Sequence, residues 1–353
     1  MLTSCVAGVL IAATLGPAFE MPIRPRALAP GDTVTIVAPA GSLSSDRIEL
    51  AAQRLREMGF RVKLPPNLYR RRGYLAGSDQ QRADEIMAAF RDPEVRGIFC
   101  GAGGFGVTRM LDLLDYEVIR KNPKVLTGFS DITGLHLAIQ RKAGLVTFHT
   151  PVASYGLGSR EGMTPFTADY FWRAILRSRY LDDDGNPRSP GYTYVPPADN
   201  PPIKVLSGGV GRGRLTGGNL SLIAATMGTP YEIETDGRIL FLEDRNEEPY
   251  RVDRMLSTLR LAGKLERLAG VVLGVFVDCD TRDPRGSLTL EEVLADYFED
   301  MGVPVIWNFP VGHYKFNAAI PMGVMAELNA ETRTLRLLEN PVDLDPPASR
   351  SDE

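Results

Sequence analysis

The chain has few of the residues from which disulfide frameworks and metal centres are built. Among its 353 residues are three cysteines and three histidines. Cys5, Cys100 and Cys279 are widely separated and form no C-x-x-C pair, so their spacing indicates neither a disulfide framework nor a zinc site. Cysteines in this pattern are typical of a protein that works in a reducing compartment.

The sequence also lacks an excess of positive charge. Its formal net charge is −4, and lysine and arginine are dispersed along the chain rather than clustered. A protein that binds a phosphate backbone or an anionic membrane surface usually carries a basic patch. We therefore expect neither a nucleic acid nor a membrane among the partners of this chain.

The apolar segment at the N terminus, residues 1–20, is too short to span a membrane and is interrupted by Gly16 and Pro17. It also lacks the positively charged beginning that a signal peptide needs. We therefore expect a cytoplasmic protein whose natural start is Met21.

The pattern of apolar residues predicts an α/β fold. Hydrophobic residues make up 44% of the sequence, so a chain of this length can bury a large core and form two domains. From residue 33 to residue 152, short apolar runs alternate with segments of helical periodicity, which predicts a parallel, doubly wound sheet with ligands at the carboxyl ends of its strands. The predicted strands are 33–38, 61–64, 95–100, 125–129 and 145–152, and helices are predicted around 48–58, 82–90 and 107–114.

The composition shifts towards Gly, Pro, Asp and Ser between about residues 156 and 203, and we place the domain boundary there. One helix is predicted near 167–176. In the second half, the pattern predicts strands at 237–244, 270–277 and 303–309, helices at 219–228 and 250–263, and a hairpin at 323–339. The predicted divisions are an N-terminal extension (1–30), a parallel-sheet domain (31–165), an interdomain region (166–203), a C-terminal domain (204–340) and a loose tail (341–353).

Ser130 lies at a sharp strand-to-helix junction in the segment "LTGFSDITGL". Serine is a favoured helix N-cap, which gives this residue a purely structural explanation. A nucleophilic serine instead needs a base to remove its proton and a third group to orient that base. The local sequence "GFSDI" keeps the first glycine of the G-x-S-x-G elbow and loses the second, so the motif does not decide between these roles.

The stretch "GAGGFG", residues 101–106, matches G-x-G-x-x-G between a strand and a helix, and Asp131 follows about 25 residues later. This spacing is compatible with a dinucleotide-binding fingerprint. The motif, however, follows the third predicted strand rather than the first, and a dinucleotide would leave Ser130 without a role. The same glycines could instead bring backbone N–H groups to a developing oxyanion, or form a tight turn with no ligand.

The three histidines limit the search for a base. His136 lies within the helix that follows Ser130, where we expect it to be packed. His149 ends a strand and His313 lies in a loop rich in proline and glycine, "NFPVGHYKFN". Spacing does not choose between His149 and His313.

An orienting acid is expected at the end of the strand "RILFLED". Side chains alternate along a strand, so only one of Glu243 and Asp244 should face the same crevice. Asp278, Asp280 and Asp283 form a second acidic group, but they lack histidine or glutamate at ligand spacing and indicate a surface loop.

With these residues assembled, the chain resembles the LD-carboxypeptidases, a serine peptidase family that includes muramoyltetrapeptide carboxypeptidases and microcin C self-immunity peptidases. The resemblance covers roughly residues 31 to 323 and rests on ordered motifs: "GAGGFGVTRMLDLLDY", "LTGFSDITGLH", "GRLTGGNLSLIAATMGTP", "ILFLEDRNEEPYRVDRML" and "PVGHYKFNAAIPMG". It implies a triad of Ser130, Glu243 and His313, with the backbone N–H groups of Gly104 and Asp131 as oxyanion donors.

The resemblance also implies a fold and a reaction. The expected fold has a Rossmann-like, parallel-sheet N-terminal domain and a smaller, β-rich α/β C-terminal domain, commonly in a homodimer, with no metal or organic cofactor. The implied reaction removes the terminal D-alanine from the L-centre of a diamino acid in muropeptide tetrapeptides, during peptidoglycan recycling. Two departures from the family pattern bear on substrate preference. The chain has Thr150 where the family pattern leads us to expect glycine, and it has extra residues between 182 and 202.

Three other functions stay open on the sequence. The first is a related peptidase that inactivates a peptide–nucleotide antibiotic of the microcin C type. The second is a dinucleotide-dependent oxidoreductase, and the third is a binding module without catalytic activity.

Overall fold

The computed structural model describes residues 21–283, 285–299 and 301–344. Most of the predicted N-terminal extension, with Cys5, and residues 345–353 of the predicted tail lie outside the described residues. The described strands are β1 (Thr33–Val37), β2 (Arg61–Lys63), β3 (Val95–Cys100), β4 (Val125–Gly128), β5 (Thr147–His149), β6 (Lys204–Ser207), β7 (Val210–Asn219), β8 (Arg238–Glu243), β9 (Gly270–Gly274), β10 (Val305–Phe309), β11 (Ile320–Met322), β12 (Met325–Asn329) and β13 (Thr334–Leu337). The described α-helices are α1 (Ser45–Glu57), α2 (Asp79–Arg91), α3 (Tyr116–Lys121), α4 (Thr133–Ala143), α5 (Pro165–Ile175), α6 (Leu220–Thr226), α7 (Pro249–Leu261) and α8 (Leu290–Phe298).

The first sheet has the strand order β11-β5-β4-β3-β1-β2. Strands β1 to β5 pair in parallel, which confirms the predicted α/β class with a parallel N-terminal sheet. Strand β11 comes from the second half of the chain and pairs antiparallel with β5 at the edge of the sheet. An edge position tolerates Pro321, which has no backbone N–H to donate. The loop that precedes β11 is thereby anchored beside the carboxyl ends of β4 and β5.

The second sheet has the order β13-β12-β7-β8-β9-β10-β6, with parallel pairing from β7 to β10 and antiparallel pairing at both sides. The predicted hairpin is present as β12 and β13. Strand β7 was not predicted, because its glycines break the apolar alternation expected of a strand. These glycines allow close backbone packing: a Cβ added to Gly213 would lie 2.5 Å from the Gly237 carbonyl oxygen.

The prediction of a helix at 107–114 is wrong. The structure has two 3₁₀ turns, Val107–Arg109 and Leu111–Leu113, separated by Met110 with φ −120° and ψ 2°. Val107, Met110 and Leu111 are nevertheless buried. The apolar pattern therefore predicted correctly which side chains are buried, but its helical period predicted the wrong secondary structure. Among the described residues, no helix is both long enough and apolar enough to cross a membrane.

Arg82 joins two loops at the carboxyl edge of the first sheet. Its side chain is fully buried and donates hydrogen bonds to the carbonyl oxygens of Pro39 (2.6 Å) and Gly106 (2.7 Å). It also pairs with Asp79 of the same helix, α2. The loop after β1 and the glycine-rich loop after β3 are therefore held together by one buried cation.

The segment between residues 182 and 202 packs against the C-terminal elements. Thr193 forms a β-bridge with Arg336, and the Tyr194 hydroxyl donates a 2.6 Å hydrogen bond to the Ala319 carbonyl oxygen. This stretch thus contacts the backbone just before β11.

Candidate active site

Ser130 lies two residues after the end of β4 and has a φ of +64°. A positive φ is unusual for a residue with a Cβ and is found where a fold holds a side chain in a special orientation. Ser130 begins a 3₁₀ turn, and the N-cap of α4 is Ile132, which forms no capping hydrogen bond. The N-cap explanation for Ser130 is therefore wrong.

The glycine-rich loop lies against the serine. A Cβ added to Gly103 would lie 2.9 Å from Ser130 Cβ, 3.0 Å from Ser130 Oγ and 3.5 Å from the Asp131 backbone nitrogen. Gly104, the next residue, has a φ of +108°, a conformation that residues with side chains rarely adopt. The glycines thus allow the backbone of this loop to approach the hydroxyl and the N–H of Asp131.

The side chain of Asp131 faces away from the cavity. It is 1% exposed, and its Oδ2 accepts a 2.8 Å hydrogen bond from the Val107 backbone N–H. Burial raises the pKa of this carboxyl to about 6. The acid that a dinucleotide site would turn towards a ribose is therefore used to hold the glycine-rich loop.

His313 and Glu243 form a hydrogen-bonded histidine–carboxylate pair of the kind found in catalytic triads. Glu243 ends β8 and is fully buried, and its Oε2 accepts hydrogen bonds from His313 Nδ1 (2.7 Å) and from the His313 backbone N–H (3.2 Å). The preceding residue must be Gly312, because an added Cβ there would lie 2.6 Å from Glu243 Cβ. Burial opposes ionisation of Glu243, but the hydrogen bond and charge of His313 outweigh it and lower the pKa of the carboxyl.

The imidazole of His313 and the hydroxyl of Ser130 face one cavity. Since Glu243 accepts the Nδ1 proton, Nε2 of the neutral ring is free to take a proton. Ser130, His313, Gly103 and Gly104 all line a cavity of about 550 Å³. The Phe129 ring, next to the serine, lies 4.7 Å from the His313 ring, centroid to centroid. The structure therefore brings the predicted nucleophile, base and oxyanion loop together.

Asp244 has a different set of partners. Its Oδ1 accepts from Asn219 Nδ2 and from the Arg245 backbone N–H, each at 2.9 Å. Its Oδ2 accepts from the Ser221 N–H (2.9 Å) and hydroxyl (2.7 Å). As strand alternation predicts, the two neighbouring acids point in different directions, and only Glu243 contacts a histidine.

The other two histidines are buried beneath the site. His136 donates from Nε2 to the Gly128 carbonyl oxygen and accepts at Nδ1 from the Thr147 hydroxyl, both at 2.9 Å, so it is packed as predicted. His149 is fully buried, and neither ring nitrogen has a hydrogen-bond partner in the described part of the chain. Of the two histidines between which spacing did not choose, His313 is the one that contacts a carboxylate and lines the cavity.

No group of three or more His, Cys, Asp or Glu side chains among the described residues is arranged to hold a metal ion. In the acidic segment, Asp280 Oδ1 accepts from the Leu290 N–H at the start of α8 (3.0 Å). Cys100 is fully buried, as expected of a small apolar side chain.

The sequence analysis missed several residues that line the cavity. Arg245 follows the acid pair directly, Lys315 lies two residues after His313, and Tyr74 and Tyr155 lie in loops of the first half. The only sequence signal for Arg245 and Lys315 was their position next to motifs already identified, and nothing marked the tyrosines.

Comparison with known proteins identifies the family. Residues 34–150 match the LD-carboxypeptidase N-terminal domain, and residues 212–328 match the LD-carboxypeptidase C-terminal domain. The chain belongs to the LD-carboxypeptidase family. This result confirms the family resemblance and the prediction of a serine-type carboxypeptidase.

Similar proteins cover nearly the whole chain. A probable murein peptide carboxypeptidase of Bacillus subtilis is 39% identical over 316 residues, which are 90% of this chain and 94% of that protein. A murein tetrapeptide carboxypeptidase of Pseudomonas aeruginosa is 32% identical over 84% of this chain and 92% of that protein. The structure of MccF in complex with glutamyl sulfamoyl guanosine has a TM-score of 0.81 at 24% identity and covers 91% of this chain and 100% of its own. The last likeness shows the fold.

His149 predicts a specific dependence of stability on pH. Burial lowers the pKa of His149 to about 3, whereas the unfolded chain has a histidine pKa of about 6.5. The unfolded state therefore binds a proton between these values that the folded state excludes, so stability falls as pH drops below 6.5, by about 1.4 kcal/mol per pH unit. In His149→Leu, the loss of stability between pH 6 and pH 4.5 should be smaller by about 2 kcal/mol, as measured by urea unfolding. His136 contributes in the same direction in both proteins, and an unchanged slope in the variant would contradict the assignment.

Proposed function

We propose that this serine carboxypeptidase removes the terminal D-alanine from muropeptide tetrapeptides, with Ser130 as nucleophile, His313 as base and Glu243 as the acid that orients it. The observation that carries the proposal is the 2.7 Å contact between Glu243 Oε2 and His313 Nδ1 beside the cavity that Ser130 lines. A serine nucleophile beside a histidine that a carboxylate orients supplies the parts that acyl transfer requires.

The geometry supports a two-step hydrolysis. His313 Nε2 takes the Ser130 proton as Oγ attacks the carbonyl carbon before the terminal residue, and the imidazolium formed is stabilised by Glu243. The backbone N–H groups of Gly104 and Asp131 stabilise the oxyanion, aided by the start of the helical segment at Ser130. His313 then donates the proton to the leaving amine, and water hydrolyses the ester in the reverse sequence of proton transfers.

The murein substrate is supported by the relatives. The probable murein peptide carboxypeptidase and the murein tetrapeptide carboxypeptidase match most of this chain and of their own lengths. MccF is similar in fold and supplies the second candidate, a peptidase that acts on a peptide–nucleotide antibiotic. The same triad would serve both reactions, so the substrate has to be tested directly.

We propose a cytoplasmic location on the basis of the cysteines, since Cys100 and Cys279 are both free and buried. The homodimer stays a prediction.

The first test of the function uses a purified muropeptide tetrapeptide and mass spectrometry. The wild-type protein should release one alanine without added nucleotide and in the presence of a chelator. Ser130→Ala and His313→Ala should each lower kcat by about 10⁴- to 10⁶-fold, and the double variant should be little worse, because the triad acts as a unit. Ser42→Ala, which alters another hydroxyl at the same cavity, is the matched control and should retain turnover.

Two outcomes would overturn this proposal. Turnover that disappears with the chelator and returns with zinc would replace the serine mechanism by a metal-dependent one. A wild-type protein that leaves the tetrapeptide intact but cleaves a peptide–nucleotide conjugate would replace the substrate and keep the triad.

The neighbouring acids give a second test. Glu243→Gln should lower kcat by about 10²- to 10⁴-fold, because the amide cannot stabilise the imidazolium and disfavours the correct tautomer. Asp244→Asn should reduce the free energy of unfolding by about 1–3 kcal/mol through its contacts with Asn219 and Ser221, with a much smaller effect on kcat. Steady-state kinetics and urea unfolding of both variants separate the two roles. If Asp244→Asn abolishes turnover while Glu243→Gln is silent, the wrong acid has been chosen.

A further inference from the structure

The permanent charges that line the cavity are both positive. Arg245 and Lys315 contribute to its wall, whereas no aspartate or glutamate does among the described lining residues. Glu243 lies behind His313 and is fully buried, so it does not present its carboxylate to the cavity. The cavity is therefore suited to a substrate that carries a carboxylate.

The two permanent cations differ in their partners. Lys315 Nζ donates a 2.6 Å hydrogen bond to Asp199 Oδ2 and lies 4.7 Å from the centre of the Phe316 ring, so its charge is already compensated. Arg245 is exposed, and its guanidinium is absent from the ion pairs of the described residues. Arg245 is therefore the cation of this cavity that is free to bind an anionic group.

The backbone of Arg245 is fixed close to the catalytic acid. Its N–H donates to Asp244 Oδ1 (2.9 Å), and it forms a parallel bridge with Val277. On both sides of that bridge the chain is tied down, since the Val277 N–H donates to the Asp244 carbonyl oxygen (3.1 Å) and the Asn246 N–H to the Val277 carbonyl oxygen (2.9 Å). The side chain therefore extends from a rigid base two residues after Glu243.

We propose that Arg245 binds the free carboxylate of the residue that the enzyme releases, and so makes it a carboxypeptidase rather than an endopeptidase. The inference rests on the proposed function, in which one C-terminal residue leaves. In that reaction the carboxylate lies on the leaving amino acid, one residue beyond the bond that Ser130 attacks. A guanidinium forms two parallel hydrogen bonds with a carboxylate. An amidated or extended C terminus carries no negative charge at this position, and its amide nitrogen cannot accept, so it would lose one of the two hydrogen bonds and the charge attraction.

The test compares a tetrapeptide that has a free C terminus with the same tetrapeptide as its C-terminal amide. The wild-type protein should prefer the acid by roughly 10²-fold in kcat/KM, the range expected when one partner of a charged hydrogen-bonded pair is removed. Arg245→Gln should lose about the same factor on the acid and little on the amide, so that the preference disappears. Arg245→Lys should be intermediate, because it keeps the charge without the two parallel hydrogen bonds.

Arg251→Gln is the matched control. Arg251 is an exposed arginine on α7 that pairs with Glu247, and its loss changes the net charge equally without altering the cavity wall. This variant should keep the wild-type preference. If it loses the preference as Arg245→Gln does, the effect comes from net charge and the Arg245 site is contradicted.

A second measurement works even if the tetrapeptide is not the substrate. The rate at which a fluorophosphonate labels Ser130 should fall when D-alanine is added and be unaffected by D-alaninamide, and Arg245→Gln should lose this protection while still being labelled. Equal effects of the acid and the amide on the wild type would overturn the Arg245 inference and leave the serine mechanism intact. Selective protection by D-alanine combined with no tetrapeptide turnover would retain the carboxylate site and reject only the proposed substrate.

Discussion

The hydrogen bond between buried Glu243 and His313 is the contact on which the site depends. Glu243 ends a strand of the second sheet, while His313 lies in the loop that leads into β11, an edge strand of the first sheet. Ser130 lies two residues after the end of β4, a strand of the first sheet. The bond therefore forms only when the two sheets are packed together. That packing also buries the Glu243 carboxylate, and the free-energy cost of removing the carboxylate from water has to be compensated. An unpaired buried charge would cost several kcal/mol, so the position of His313 is strongly determined.

A second constraint is the space around Ser130. Its positive φ is tolerated because the surrounding structure holds the backbone in place. Glycines leave room on one side of Ser130, and on the other side Asp131 is hydrogen-bonded to the Val107 N–H. Arg82 holds the same glycine-rich loop to the loop after β1. Buried polar groups outside the reaction thus fix the loop that would stabilise the oxyanion.

The sequence predicted the parts of the site that follow from local pattern. The apolar run before Ser130 gave the strand end, and the alternation of side chains showed that only one of Glu243 and Asp244 could face the crevice. Local pattern could not choose between His149 and His313, because one ends a strand, the other follows one, and their difference is tertiary. The His149 ring packs against Phe129 and Phe241, whereas the His313 ring contacts a carboxylate. Strand β11 and the glycine-rich β7 were missed for a related reason. Their short or irregular sequences become strands through the neighbours with which they pair, which a local pattern does not contain.

The most direct measurement of the central claim is to map the residue that a fluorophosphonate modifies and to follow turnover in the same samples. Activation of Ser130 by His313 and Glu243 predicts one phosphonyl group per chain, on the peptide that contains Ser130, with activity lost in proportion to the modified fraction. Modification of a different residue in parallel with the loss of activity, or full activity in a protein whose Ser130 is completely modified, would contradict the account.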